Sequence, residues 1–189
     1  MQLLKDKIVK YGEVLSGNVL KVDSFINQQI DPELTMEIGQ QFYRLFKDKN
    51  ITKIVTIESS GIAFGLATAI AFGNIPLIFA KKHFSVLSNN YYQTNVYSFT
   101  KKTNYVVSIE KDFINEQDNI LIIDDFLANG NAVIGLVDLV TQAKANVNGI
   151  GIVIEKAFQD GHRRVEKLGY HIESLACIER FEDGEIFFR

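Results

Sequence analysis

The chain has no tryptophan, one cysteine and two prolines in 189 residues. Cys177 alone cannot close an internal disulfide, and it has no partner at zinc-ligand spacing. It reads as a small buried hydrophobe. His83, His162 and His171 are scattered, so no dedicated transition-metal site is suggested. With only Pro32 and Pro76, a proline-rich linker or a collagen-like chain is excluded. An excess of positive charge is lacking too: 20 basic and 23 acidic side chains leave a formal net charge of −3. A protein that coats a duplex is usually basic, so no nucleic-acid partner is expected. No stretch reaches the roughly 18 apolar residues that a membrane span requires. Residues 1–10 lack the apolar run and small-residue cleavage site of a signal peptide, so the expected address is cytoplasmic and no membrane partner is expected. What is present is a core: 47% apolar and 11% aromatic residues rule out low-complexity disorder. A chain of this length hides about 70% of its unfolded surface and suits a single domain.

Hydrophobic patterning divides that domain into short elements. Residues 3–11 read as an amphipathic helix closed by Gly12. Residues 13–22 suit a hairpin turning at Ser16-Gly17-Asn18. Asp31-Pro32 opens a second helix, with Asp as the cap and Pro in the first turn, where a missing N–H costs nothing. Leu34, Ile38, Phe42, Leu45 and Phe46 follow at helical spacing. Strands are then expected over 51–57, 75–80, 105–109, 119–123 and 148–154, with helices over 62–72, 131–144 and 160–168. Two late strands, 172–178 and 185–188, join across Asp183-Gly184. Residues 84–100 are polar, rich in Tyr and Asn, and without clear periodicity; such a segment inside a compact domain is usually functional or disordered. Alternating strands and helices predict an α/β domain with a parallel sheet covered on both faces. Ligands in such sheets sit at the carboxyl ends of the strands.

The densest chemistry stands at the end of the strongest strand: Ile120-Leu121-Ile122-Ile123-Asp124-Asp125-Phe126-Leu127-Ala128-Asn129-Gly130-Asn131-Ala132. Two carboxylates end the strand, a turn of small residues follows, and a helix begins. Small residues let the backbone approach a ligand, and successive N–H groups at a helix start suit a phosphate. Carboxylates suit ribose hydroxyls and Mg²⁺. An isolated Asp pair at this position would equally serve as a helix cap and a solvated turn. The complete string is far more specific. It is similar to the phosphoribosyl-diphosphate signature of the type I phosphoribosyltransferases.

That resemblance implies a parallel-sheet fold with helices on both faces and a small base-binding cap, built from about residues 1–50 and 158–189. Asp124 and Asp125 would face the ribose as the catalytic pair. Ala128, Asn129, Gly130, Asn131 and Ala132 would hold the 5′-phosphate. Many relatives carry Thr where Asn129 and Ala132 stand, so here the Asn amides and backbone N–H groups would take over from hydroxyls. Glu58-Ser59-Ser60-Gly61 fits the tight loop that holds the diphosphate. Residues 84–100 fit a mobile hood, bracketed by Lys81-Lys82-His83 and Lys101-Lys102. Lys81 is the cation expected on the diphosphate. Mg²⁺ would arrive with the substrate, with no metal ligand assigned to the protein directly. A homodimer is also implied.

Within the family the resemblance is nearest to the bacterial branch that acts on xanthine. It is carried by residues 17–32, 51–62 and 149–158 and implies base contacts from Leu20, Asn27 and Lys156. An ammonium only donates hydrogen bonds, so Lys156 favours an oxo group over an exocyclic amine. Asn27 offers a donor and an acceptor, and Leu20 can pack on the ring. Phe158 is placed to stack, a reading from its position alone. Relatives that use hypoxanthine and guanine carry Asp at the position of Ala128; xanthine, being more acidic, has less need of a base there. Another oxopurine is the alternative substrate. A regulator that senses phosphoribosyl diphosphate is the alternative class, but only about 50 residues precede the first core strand, and these match the cap rather than a DNA-binding domain.

Overall fold

Helix α1 (Gln2–Tyr11) buries Leu4 and Ile8, one turn apart, and stops at Gly12, whose N–H donates to the Ile8 carbonyl at 2.8 Å. The computed structural model describes residues 1–16, 18–83, 89–98 and 103–189. After α1 come the paired strands β1 (Glu13–Leu15) and β2 (Val19–Lys21), the expected hairpin, and a π-helical turn over Asp23–Asn27. Helix α2 (Pro32–Phe46) starts as its sequence dictates: the Asp31 carboxylate accepts from the Leu34 N–H at 3.1 Å, and Pro32 takes the first position. Leu34, Ile38, Phe42 and Phe46 are fully buried, whereas Leu45 faces outward.

The chain then alternates: β3 (Lys53–Ile57), α3 (Gly61–Ala71), β4 (Leu77–His83), β5 (Tyr91–Ser98), β6 (Thr103–Glu110), β7 (Asn119–Leu127), α4 (Asn131–Gln142), β8 (Asn146–Lys156), α5 (Gly161–Glu166), β9 (Ile172–Glu182) and β10 (Glu185–Phe188). The large sheet has the order β10-β9-β8-β7-β3-β4-β6-β5. Its middle, from β9 through β4, is parallel; β10 pairs antiparallel with β9, and the β5–β6 hairpin pairs antiparallel with β4. Residues 120–123 read as an unbroken apolar run because β7 is covered on both faces. Leu121 and Ile123 pack into one layer with Phe42, Phe46 and Phe64; Ile120 and Ile122 pack into the other with Leu136 and Val140. Each such side chain contributes about 1.5–3 kcal/mol of apolar burial.

Three expectations change. β7 does not end at the acid pair: Phe126 and Leu127 still pair with Ile154 and Glu155, so the ladder carries the carboxylates inside the strand's last turn of register. β8 likewise runs to Lys156, which closes the strand rather than following it. Within 84–100, residues 91–98 form the edge strand β5. Polar side chains stand on both faces of this strand, Tyr92 and Thr94 on the covered one and Gln93 and Asn95 on the other, which hid its period. The hood positions 84–88 and 99–100, like Lys101 and Lys102, lie outside the described residues. Among the described residues, no helix is long and apolar enough to cross a membrane.

Candidate active site

β3 and β7 are parallel neighbours, with Ile54 opposite Leu121. From this pair the chain winds outward in opposite directions, and α3 and α4 cover opposite faces. A crevice therefore opens beyond the carboxyl ends of β3 and β7, the switch point where ligands bind in such sheets. Residues 58–61 enter it from β3, and residues 124–132 from β7.

Gly61 is where the two segments meet. A Cβ there would lie 2.1 Å from Thr56 Oγ1 and 3.5 Å from Asp124 Oδ1, so the start of α3 approaches the acid pair as closely as only glycine allows. The loop is anchored on its other side: the Glu58 N–H donates to the Ala80 carbonyl at 3.1 Å, and the Lys82 N–H donates to Glu58 Oε1 at 2.6 Å. Ser59 is exposed, and its carbonyl accepts from the Ile62 N–H at 3.2 Å; Ser60 precedes the helix without a side-chain cap bond.

Asp124 is 2% exposed, and Asp125 is half-buried. Burial holds the Asp124 carboxyl well above the usual carboxylate range; the Asp125 charge pushes the same way, and the Lys82 ammonium opposes both. Lys82 also lies over the Tyr105 ring at 5.6 Å, while burial, and secondarily the Asp124 charge, raises the Tyr105 hydroxyl. Lys81, the lysine favoured from sequence, lines a groove with Phe79 and Phe113 instead. Adjacent strand residues point to opposite faces, so the dipeptide alone did not reveal which lysine faces the acids.

The turn after β7 is equally close. Gly130 has φ +80°, a left-handed value that favours glycine. Residues 128–133, together with Tyr97, Tyr105 and Phe126, line a cavity of about 140 Å³. The Asn131 amide, expected as a donor toward this space, donates to the Tyr97 carbonyl at 2.9 Å, and its Oδ1 accepts from Arg164 at 2.7 Å. Ala128, Asn129 and Ala132 are half-buried around the same hollow. Larger open hollows of about 420 and 530 Å³ share Tyr11, Ser24 and Gln29 and have neither the acid pair nor the glycine turn.

Phe126 links this cavity to Lys156, whose ammonium lies 5.9 Å from the ring centroid. Lys156 donates to the Asn18 carbonyl at 2.9 Å, tying the end of β8 to the β1–β2 hairpin. Its burial lowers its pKa. Leu20, 5% exposed, sits in β2 within the core layer. Asn27 is exposed on the next turn, with its amide 3.3 Å from Asp23 Oδ1. Phe158 is exposed at its edge and packs on Phe181, 5.4 Å between centroids. The structure thus joins Lys156 to Phe126 and the hairpin, and brings the acid pair between two tight turns. Tyr105 escaped the sequence reading, and Phe126 and Lys82 entered it only as a spacer and as one of a lysine cluster, because their placement comes from neighbouring strands rather than from a local pattern.

These two turns stand at the switch point of a doubly covered parallel sheet, and residues 27–185 match the phosphoribosyl transferase domain; the chain belongs to that family. Its relatives carry a more particular name. The xanthine phosphoribosyltransferase of Latilactobacillus sakei is 52% identical over 189 residues, covering 100% of this chain and 96% of that protein. The xanthine phosphoribosyltransferase of Bacillus cytotoxicus is 54% identical over 189 residues, covering 100% and 95%. Among solved structures, the adenine phosphoribosyltransferase of Giardia lamblia in complex with 9-deazaadenine superposes with a TM-score of 0.80 over 94% of this chain and 98% of that one, at 17% identity. It shares the fold.

Proposed function

We propose that the protein transfers the 5-phosphoribosyl group from phosphoribosyl diphosphate to xanthine, giving xanthosine 5′-monophosphate and diphosphate, a purine-salvage reaction. The observation that carries this reading is the acid pair Asp124–Asp125 set between the Gly61 turn and the Gly130 turn. The Gly130 turn supplies N–H groups for the 5′-phosphate. Glu58–Gly61 lines the diphosphate side, and Lys82, whose N–H donates to Glu58 and whose charge acts on Asp124, stands beside it as the cation. A Mg²⁺ ion would be held mainly by the diphosphate and water, and the carboxylate oxygens of the acid pair suit such a hard cation where they border it. Magnesium, when bound, neutralises charge on the leaving group.

The bond between the anomeric carbon and the diphosphate oxygen breaks, a bond from that carbon to a purine ring nitrogen forms, and the proton of that nitrogen passes to water or to the departing diphosphate. The protein holds the two centres in line. The Asp pair stabilises positive charge that develops on the ribose ring. At the base, the Lys156 ammonium donates to an oxo group in place of Asn18, Phe126 offers a ring face, and Leu20, Asn27 and Phe158 complete the cap with residues 1–50 and 158–189. The family's homodimer is the expected assembly and the cytoplasm the expected location.

The test is turnover of xanthine, guanine, hypoxanthine and adenine with phosphoribosyl diphosphate and Mg²⁺. Xanthine is expected to have the highest kcat/KM; guanine or hypoxanthine matching it overturns the substrate assignment, and binding without turnover overturns the enzyme reading. Lys156→Ala is expected to raise the KM for xanthine about tenfold or more, the worth of a charge-assisted hydrogen bond, with the KM for phosphoribosyl diphosphate kept. Unchanged base kinetics refute the base-site assignment.

A further inference from the structure

The 5′-phosphate turn is not self-supporting; it leans on α5. Gly161 is the contact. Its N–H donates to the Ala128 carbonyl at 2.9 Å, and a Cβ on it would lie 2.4 Å from that oxygen. A Cβ on Gly130 would in turn lie 3.1 Å from Gly161 Cα. From the same six-residue helix, Arg164 Nη1 donates to the Asn129 carbonyl and to Asn131 Oδ1. Its neighbour Arg163 behaves differently and pairs with Asp160 at 2.7 Å on the exposed face.

We propose that Arg164 is a positioning residue for the phosphate-binding turn, a role that rests on the reading of residues 128–132 given above. The turn carries Asn129 and Ala132 rather than hydroxyl side chains, so its donors are mostly backbone N–H groups. Backbone donors bind well only if the peptide planes already point at the phosphate. A turn of small residues with a left-handed glycine has no stiffness of its own. Arg164 supplies it by holding acceptors on both sides of Gly130 with one charged donor. Asn131 is then fixed from two directions, by Arg164 on α5 and by the Tyr97 carbonyl on β5.

Holding α5 itself in place does not depend on Arg164. His162 Nδ1 lies 2.9 Å from Glu155 Oε2, and the same oxygen accepts from Ser174 Oγ at 2.5 Å. The Glu155 side chain is 3% exposed. This buried anchor sits one residue before Lys156. The phosphate turn and the proposed base contact are therefore referenced to the same strand end, which sets the distance between the two ends of a bound nucleotide.

The test compares binding of xanthosine 5′-monophosphate and of xanthosine by calorimetry, for the wild type, R164Q, R164K and the control R163Q. R164Q is expected to bind the nucleotide about tenfold more weakly and the nucleoside unchanged, with the KM for phosphoribosyl diphosphate raised and that for xanthine kept. R164K is expected to show the same selective loss in smaller measure. R163Q is expected to match the wild type. Nucleotide binding at wild-type strength in both Arg164 variants overturns the proposal, and so does an equal loss for nucleotide and nucleoside, the mark of general misfolding. A wild type that does not prefer nucleotide over nucleoside refutes the phosphate-turn reading itself, and the role of Arg164 with it.

Discussion

Gly61→Ala is the sharpest probe of how the diphosphate side is built. The added Cβ would stand 2.1 Å from Thr56 Oγ1. Ordinary contact needs about 3.4 Å or more, so more than 1 Å of movement is forced on the start of α3 or on Thr56. Thr56 is fully buried in β3 and has little room to yield. Overpacking of this kind costs about 2 kcal/mol, or about 4–8 °C in Tm for a chain of this size. The functional cost is larger, because a misplacement of about 1 Å can cost about a hundredfold in rate. The structure also names the rescue. With Thr56→Ala the clashing oxygen is gone, and the next neighbours of the new Cβ are Thr56 Cβ and Asp124 Oδ1, each at 3.5 Å, which is ordinary contact. The buried Thr56 hydroxyl has no hydrogen-bond partner among the described residues, so its loss sacrifices no bond. The assay is kcat/KM for phosphoribosyl diphosphate, with Tm measured alongside, for both single variants and the double. Turnover within threefold of wild type in Gly61→Ala would refute the close-approach argument, and so would a double variant no better than Gly61→Ala.

Asp124→Asn separates charge from shape. A buried carboxyl with a raised pKa holds its proton longer when folded than when unfolded, so its contribution to stability is lost as pH rises from 3.8 through the folded value. Asn does not titrate; the variant is expected to gain stability relative to the wild type as pH rises, while turnover collapses. Urea midpoints at pH 4 and pH 8 that shift in parallel for the two proteins contradict this. At the opposite end of the sheet, Asp118 accepts from Lys53 Nζ and the Asn115 N–H, both at 2.9 Å. Asp118→Ala leaves these donors short of a partner and is expected to cost about 2–3 kcal/mol in urea unfolding with kcat/KM unchanged; a matching fall in activity would show that the sheet's lower end reaches the site.

The acid pair and the glycine turn were legible because a ligand that must touch the backbone restricts residue type over consecutive positions. The strong strands were legible because burial on both faces leaves no polar alternation, as at Ile120–Ile123. Elsewhere the signal is not local. Whether Lys81 or Lys82 faces Asp124 depends on the pleat of β4. β5 lacks a clear period because the face that meets α4, where Gly135 lets Val96 approach, also carries Tyr92 and Thr94 rather than aliphatic residues. Arg164 sits in a polar helix with an arginine twin, and only the fold distinguishes them. Asn131 reads as a free amide in sequence but is held by two elements that lie far from it along the chain.

The pairing of β3 with β7 brings together segments that are remote in the chain; Thr52 and Asp118, at their entry, are 66 positions apart. The Gly61 turn does not meet the acid pair until that seam closes, a slow kind of contact to establish. A sugar phosphate spanning the seam would act as a cross-brace, favouring the closed sheet by mass action. Substrate abundance would then govern how long the molecule survives proteases as well as how fast it turns over.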